Sequence, residues 1–354
     1  MSTASVSQIT TIRSTLNRPL VRFAWFVVFY NVLVILWGAF VRASGSGAGC
    51  GNHWPLCNGQ VIPVSPSFHT IIEFTHRMMT GGSTFIVLAL LIWTFRATVK
   101  GHAARWFAVA STLLLLNEAL LGALLVKLGY VTGNQSPGRM VLLSIHLSNT
   151  LLLVAALTLT ARFASNGRGW AGLQRAPGFG WAVAGLVATV GVGVSGSMAA
   201  LGDTLFPAES LRAAYAQDFA GNSPWLLRLR LVHPVSALLA AAFVVWLVRR
   251  SRQAEMPGNG RPINVRARLA SLVIYLLVLQ FVLGLADVLL LAPAWMQLVH
   301  LLGANLYWVA LVVLASETIW PRGNSPISTS TALASDNFLR RQNDLPETKM
   351  TRTL

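Results

Sequence analysis

Charged side chains are scarce in this chain: Asp, Glu, Lys and Arg make up 11% of its 354 residues, against 54% hydrophobic. That balance excludes an ordinary soluble domain, in which about a quarter of the residues are charged. Cysteine is scarcer still. Only Cys50 and Cys57 occur, and two thiols alone do not make a zinc site, which takes three or four protein ligands. The first 21 residues lack acidic groups but contain Ser, Thr and Arg. That composition does not exclude a short organelle-targeting segment, although a cytoplasmic tail is the simpler reading. An interrupted helix pair and a polar cluster at mid-span, the marks of a transporter site, are not evident.

What the chain does have is apolar length. Eight runs near 22–42, 70–95, 105–127, 139–161, 179–200, 230–250, 268–291 and 295–319 each suit a hydrocarbon core about 30 Å thick. The expected fold is an all-α membrane protein with eight transmembrane helices. Residues 23–43 are too long for a signal-peptide core and show no cleavage site, so they count as the first span. The net charge of +16 is a matter of topology. With the N-terminus inside, 20 of the 27 Lys and Arg fall on one face: the tail, the turns near 96–105, 162–175 and 249–268, and the segment after 320. Basic residues mark the cytoplasmic side, which argues against nucleic acid and for a multi-pass protein of a bacterial inner membrane, both termini cytoplasmic. Cys50 and Cys57 then share an outer, oxidising loop, where a disulfide is favoured over free thiols or a redox pair.

The chain repeats itself. Ser44-Gly45-Ser46-Gly47-Ala48 resembles Ser195-Gly196-Ser197-Met198-Ala199, 151 positions on. His76 maps to His233 at 157, His146 to His300 at 154, and Glu118-x-x-x-Gly122 to Gln280-x-x-x-Gly284 at 162. Four landmarks in one order predict two pseudo-twofold-related four-helix bundles. Their expected bounds are a tail at 1–21, an N-terminal half at 22–162, a cytoplasmic linker at 163–178, a C-terminal half at 179–320 and a disordered tail at 321–354.

The four histidines lie one per span, near the outer ends of the second, fourth, sixth and eighth. Ionisable groups at that depth are costly and mark function. Two imidazoles from neighbouring helices can face each other across a flat macrocycle and give one nitrogen each to a central iron. A buried histidine that merely bonds a carbonyl or an Asn is the plainer alternative, weakened here by four sharing one layer. His53, His69 and His102 are expected in loops and without a role.

The stretch Glu73-Phe74-Thr75-His76-Arg77, with the Cys50…Cys57 loop, His146, His233 and His300, resembles the haem A synthase family over roughly residues 22–320. The resemblance implies oxidation of a methyl group of haem O to a formyl group, by two hydroxylations and loss of water, for terminal oxidases. It implies a resident haem b on His233 and His300, the substrate haem O between His76 and His146, and a catalytic role for Glu73. A haem O synthase would be the upstream partner, beside an unidentified electron donor or acceptor. A homo-oligomer is compatible with the sequence.

Glu73 lies three residues before His76, on one helical face with it. It is placed to stabilise positive charge at the oxidised methyl group, to take a proton from water, or only to hydrogen-bond. Arg77 and Arg139 suit haem propionates, though snorkelling explains them nearly as well. Glu118 departs from the Gln usual in the family and is either a proton-carrying group or a hydrogen-bonding one. The second half has Leu229 and Arg230 where a counterpart of Glu73 would stand, and its outer loop near 201–229 lacks the cysteine pair of some relatives. The competing class is a di-haem b, quinol-oxidising cytochrome, from which Glu73 is the discriminator; a duplicated transporter is third.

Overall fold

In a bilayer the backbone must satisfy its own hydrogen bonds, which long apolar runs achieve as helices. The computed structural model describes residues 3–165, 178–253 and 265–320, with side chains over 18–165, 178–249 and 266–320. Most of the linker expected at 163–178, and all of the tail expected at 321–354, lie outside them. Among the described residues ten α-helices occur and no strand: α1 (Thr3–Ala43), α2 (Phe68–Ala97), α3 (Ala103–Lys127), α4 (Pro137–Ala164), α5 (Phe179–Leu205), α6 (Leu211–Phe219), α7 (Trp225–Arg228), α8 (Val232–Gln253), α9 (Val265–Leu289) and α10 (Ala294–Ile319). Eight segments are long and apolar enough to cross a membrane, one for each expected span. The protein is an all-α, multi-pass membrane protein.

Local chemistry sets the ends. Ser67 and Ser136 accept the Thr70 and Arg139 amides as N-caps of α2 and α4, the latter opening on Pro137, where a missing N–H costs nothing. The sixth span is compound: α7 passes through a single 3-10 turn, Leu229–Leu231, into α8. α9 ends where Leu291 and Ala292 take φ of 64° and 51°. One expectation is corrected here: His69 is not in a loop but in the first turn of α2, its Nδ1 3.0 Å from Ser46 Oγ. His102 lies between α2 and α3 as expected, where it is the N-cap of α3 and accepts the Ala104 amide.

In the N-terminal half α1, α2, α3 and α4 pack around a ring, α3 most extensively on α4. In the C-terminal half α5 packs on α8 and α10 on α9, while α8 and α9 touch only slightly. α4 joins the halves by packing on both α5 and α10, and α1 also reaches α10. One buried cluster gathers Leu20, Leu90 and Leu157; a second gathers Val154, Val244, Val273, Trp308 and Val312, with α4 contributing to both. The Trp308 indole donates to Leu151 O at 2.8 Å. Outward faces are apolar, with Phe85 77% and Leu239 69% exposed, as a lipid-facing surface requires.

Candidate functional site

Counted from the first residues of their spans at Phe68, Pro137, Trp225 and Ala294, His76, His146, His233 and His300 stand 8, 9, 8 and 6 residues in. At about 1.5 Å of rise per residue the four share a layer. His233 and His300 face each other with ring centroids 6.4 Å apart and planes at 81°. His76 has His146 and Glu118 within electrostatic reach.

Glycines make room for three of these rings. A Cβ on Gly38 would come within 2.9 Å of His76 Cε1, one on Gly196 within 2.9 Å of His233 Cε1, and one on Gly284 within 3.2 Å of His300 Cε1. Gly38 and Gly196 therefore correspond at a spacing of 158, close to the 157 between their histidines. This corrects the Ser-Gly-Ser landmark at 151. Ser44–Ser46 lies just beyond the end of α1, whereas Ser195 and Gly196 lie inside α5, about two turns deeper. A three-residue word of small polar residues recurs by chance; a glycine under a ring is a packing requirement.

Hydrogen bonding sets the four histidines apart. Ser195 Oγ lies 3.2 Å from His233 Nδ1 and 2.8 Å from Ser236 Oγ. The buried Nδ1 atoms of His76 and His300 have no hydrogen-bond partner among the described residues. His146 Nδ1 is 3.3 Å from Glu118 Oε1, within ion-pair reach but off the line of a hydrogen bond. Glu118 is itself held from α4: Asn149 Nδ2 donates to Oε2 at 2.5 Å, and Thr150 Oγ1 contacts Oε1. Asn117 Nδ2 donates to Asn149 Oδ1 at 2.8 Å, and Asn149 Nδ2 reaches Leu114 O at 2.9 Å.

A polar cluster thus sits at about mid-span between α3 and α4, and Ser83 donates to Asn31 at 2.8 Å between α1 and α2. The sequence reading expected none, because residues some 30 or more positions apart meet only once the helices pair. Asn117, Asn149, Thr150, Ser195 and Gly38 are the site residues it missed. Thr150 was within reach, lying one turn beyond His146.

Glu73 is 4% exposed. Its Oε2 accepts the Cys50 amide at 2.8 Å and its Oε1 the Arg77 guanidinium at 2.5 Å. Cys50 and Cys57 form a disulfide. Arg77 also donates to His53 O at 2.7 Å and Leu56 O at 2.6 Å. The disulfide loop is therefore pinned over Glu73 from both sides. Arg77 has three acceptors; Arg139, buried on α4, gives one bond to Asn134 O at 2.7 Å and keeps a buried Nε without a partner among the described residues. Of five N–H donors each, Arg77 directs three at the loop and Glu73 and Arg139 one at Asn134 O, so Arg139 has the more to spare. Where the second half lacks a Glu73, Arg230 pairs with Asp203 at 2.8 Å and Asp218 at 3.1 Å.

Among the described residues no three His, Cys, Asp or Glu side chains gather to hold a metal ion, which disfavours zinc. What the site offers is imidazoles in pairs, room beside their rings, and one buried carboxylate near the first pair alone. Residues 21–312 match the model of the cytochrome oxidase assembly protein family (COX15-CtaA). Protoheme IX farnesyltransferase of Thermus thermophilus is 43% identical over 298 residues, covering 84% of this chain and 48% of the relative. Heme A synthase of Exiguobacterium sibiricum is 35% identical over 142 residues, covering 40% of this chain and 45% of the relative. Heme A synthase of Shouchella clausii is 38% identical over 133 residues, covering 38% and 42%. The chain spans about half the length of the curated relatives it matches. With eight spans, four layered histidines and a match that runs through nearly all of them, the chain belongs to the cytochrome oxidase assembly protein family.

Proposed function

We propose that this protein is a haem A synthase, an oxidoreductase that converts one methyl substituent of haem O to a formyl group by successive hydroxylations and loss of water. The observation that carries this reading is two imidazole pairs in one layer, of which only the first has a buried carboxylate, Glu73, within one helical turn. Relatives named Heme A synthase support it.

The residues fit a haem. Two imidazoles bound to one metal at about 2 Å each stand roughly 6 Å apart between ring centres, and His233 and His300 are 6.4 Å apart. Glycines where a Cβ would strike the rings of His76, His233 and His300 leave room beside the imidazoles that helix packing alone does not require. His233 and His300 would hold haem b, which when bound supplies one-electron transfer. His76 and His146 would straddle the substrate. Glu73, fixed by the Cys50 amide and Arg77, would stabilise positive charge at the oxidised carbon or take a proton from an attacking water. Arg139 is the better of the two arginines for a propionate, since Arg77 directs three of its five N–H donors at the loop and Glu73 whereas Arg139 directs one.

The same reading places the protein in a bacterial inner membrane with both termini cytoplasmic, supported by the distribution of Lys and Arg. It makes a haem O synthase the upstream partner. In support, the Thermus relative named Protoheme IX farnesyltransferase carries a segment like this chain in 48% of its length, leaving about as much again beyond the match.

Extraction of the haems from purified protein tests the assignment. Haem O and haem A beside haem B are expected; haem B alone, from membranes that make haem O, would reject the synthase and leave the di-haem cytochrome. Glu73→Ala is expected to accumulate haem O with the haem b spectrum intact. Undiminished haem A from that variant would remove Glu73 from the reaction.

A further inference from the structure

Of the four layered histidines, only His146 has a carboxylate beside its ring among the described residues. Glu118 reaches it from α3 and is immobilised from α4 by Asn149 and Thr150, while Asn149 is in turn fixed by Asn117 and the Leu114 carbonyl. Oε1 therefore stands 3.3 Å from His146 Nδ1 as part of a braced frame. At that distance the carboxylate faces the imidazole edge as an ion-pair partner. Carboxylates in this position fix both the tautomer and the orientation of a ligating imidazole.

His76 has nothing comparable. Its Nδ1 is buried without a partner among the described residues, and the wall beside its ring is Gly38, which has no side chain to grip it. Nor does the second half repeat the device. Gln280, the sequence counterpart of Glu118, leaves its Nε2 buried without a partner, and His300 Nδ1 is likewise unbonded. The single side-chain bond to an imidazole described there is the one from Ser195 to His233.

We propose that Glu118 is the positioning residue that locks His146 as the permanent axial ligand of the substrate-side pair, leaving His76 as the ligand that lets go. The proposal rests on the haem O reading above. Release of His76 breaks one nitrogen–iron coordination bond, the lone pair returns to the imidazole, and no electron or proton is transferred.

The test uses full-length protein purified from membranes that make haem O, with occupancy of each site and carbon monoxide binding to the reduced protein as readouts. His76→Ala is expected to keep its substrate-side haem and bind carbon monoxide readily. His146→Ala is expected to lose that haem about tenfold or more, the range typical of losing a metal site's support. Glu118→Leu should lower substrate-side occupancy about tenfold, and Glu118→Gln, whose amide oxygen still accepts an N–H, should restore most of it. Haem b on His233 and His300 reports folding in every variant; should His146→Ala lose it, the two Glu118 variants decide. Equal retention in His76→Ala and His146→Ala, or full occupancy in Glu118→Leu, overturns the proposal alone. Absence of any substrate-side haem from the unsubstituted protein overturns the haem O reading and the proposal with it.

Discussion

Gly38 and Gly196 perform one task for two different histidines: each gives up its side chain so that an imidazole can lie against a helix. Their substitution separates packing at a ligand from packing in general. Gly196→Ala puts a Cβ 2.9 Å from His233 Cε1, and overpacking of this kind costs about 1–3 kcal/mol, so the ring must move. With haem b on His233 and His300 as proposed above, the haem b bound per protein is expected to fall severalfold, read from the reduced-minus-oxidised spectrum. Gly122→Ala, whose Cβ meets nothing within 4 Å, should leave it unchanged. At this scale the sequence was legible wherever a residue type was itself unusual. A histidine or glutamate inside an apolar run announces itself, and His76, His146, His233, His300, Glu73 and Glu118 were all visible for that reason. Their partners were not. Gly38 looks like any helical glycine, and the donors on Glu73 are a loop amide and an arginine one turn away that also suited the membrane interface.

Single helices were the most readable level, because a run of about 20 apolar residues has few alternatives in lipid. Ends were less so. His102, expected in a loop and to hold no ligand, caps α3 through Nδ1, which accepts the Ala104 amide at 3.2 Å. Only a neutral imidazole has that lone pair. Burial first, and the nearby charge of Arg105 second, hold its pKa below the usual 6.5. The unfolded chain therefore takes up a proton before the folded one does. The contribution of His102 is fully present above about pH 6.5 and is lost as the pH falls below it, toward the lower folded value. Thermal melts between about pH 7.5 and 5.5 should show a decline that His102→Asn, a capping residue that does not titrate, flattens. An unchanged slope would mean that other groups govern this range.

For the molecule as a whole, the eight spans were legible and the links between the first four and the last four were not. Arg42, at the end of α1, donates to Ala200 O and Thr204 Oγ1 on α5, each at 2.6 Å, and to Gln297 Oε1 on α10 at 2.7 Å. Arg162 of α4 pairs with Glu317 of α10 toward the other face. Such links run between residues more than 150 positions apart, and no local pattern marks them. Arg42→Met keeps the apolar stem and removes the bonds. Hydrogen bonds to charged groups are worth about 1.5–3 kcal/mol each, and at the unfolding entropy of a protein this size the loss of all three should lower the melting temperature in detergent by about 10 °C. A change within experimental scatter would show that the halves are held by apolar packing alone.

The contact from the Cys50 amide to Glu73 has a genetic consequence. Its donor belongs to the main chain, so exchanging a side chain does not itself delete it. Gly49, whose Cβ would lie 2.4 Å from His69 O, and Gly51, at φ +60°, nonetheless hold the path of the loop and admit no side chain without strain. Proline at position 50 is the one coded replacement that removes the N–H, and the disulfide already requires cysteine there. Sequence can thus drift only at loop positions that neither these glycines nor the disulfide fix, while the grip on the carboxylate is inherited unchanged.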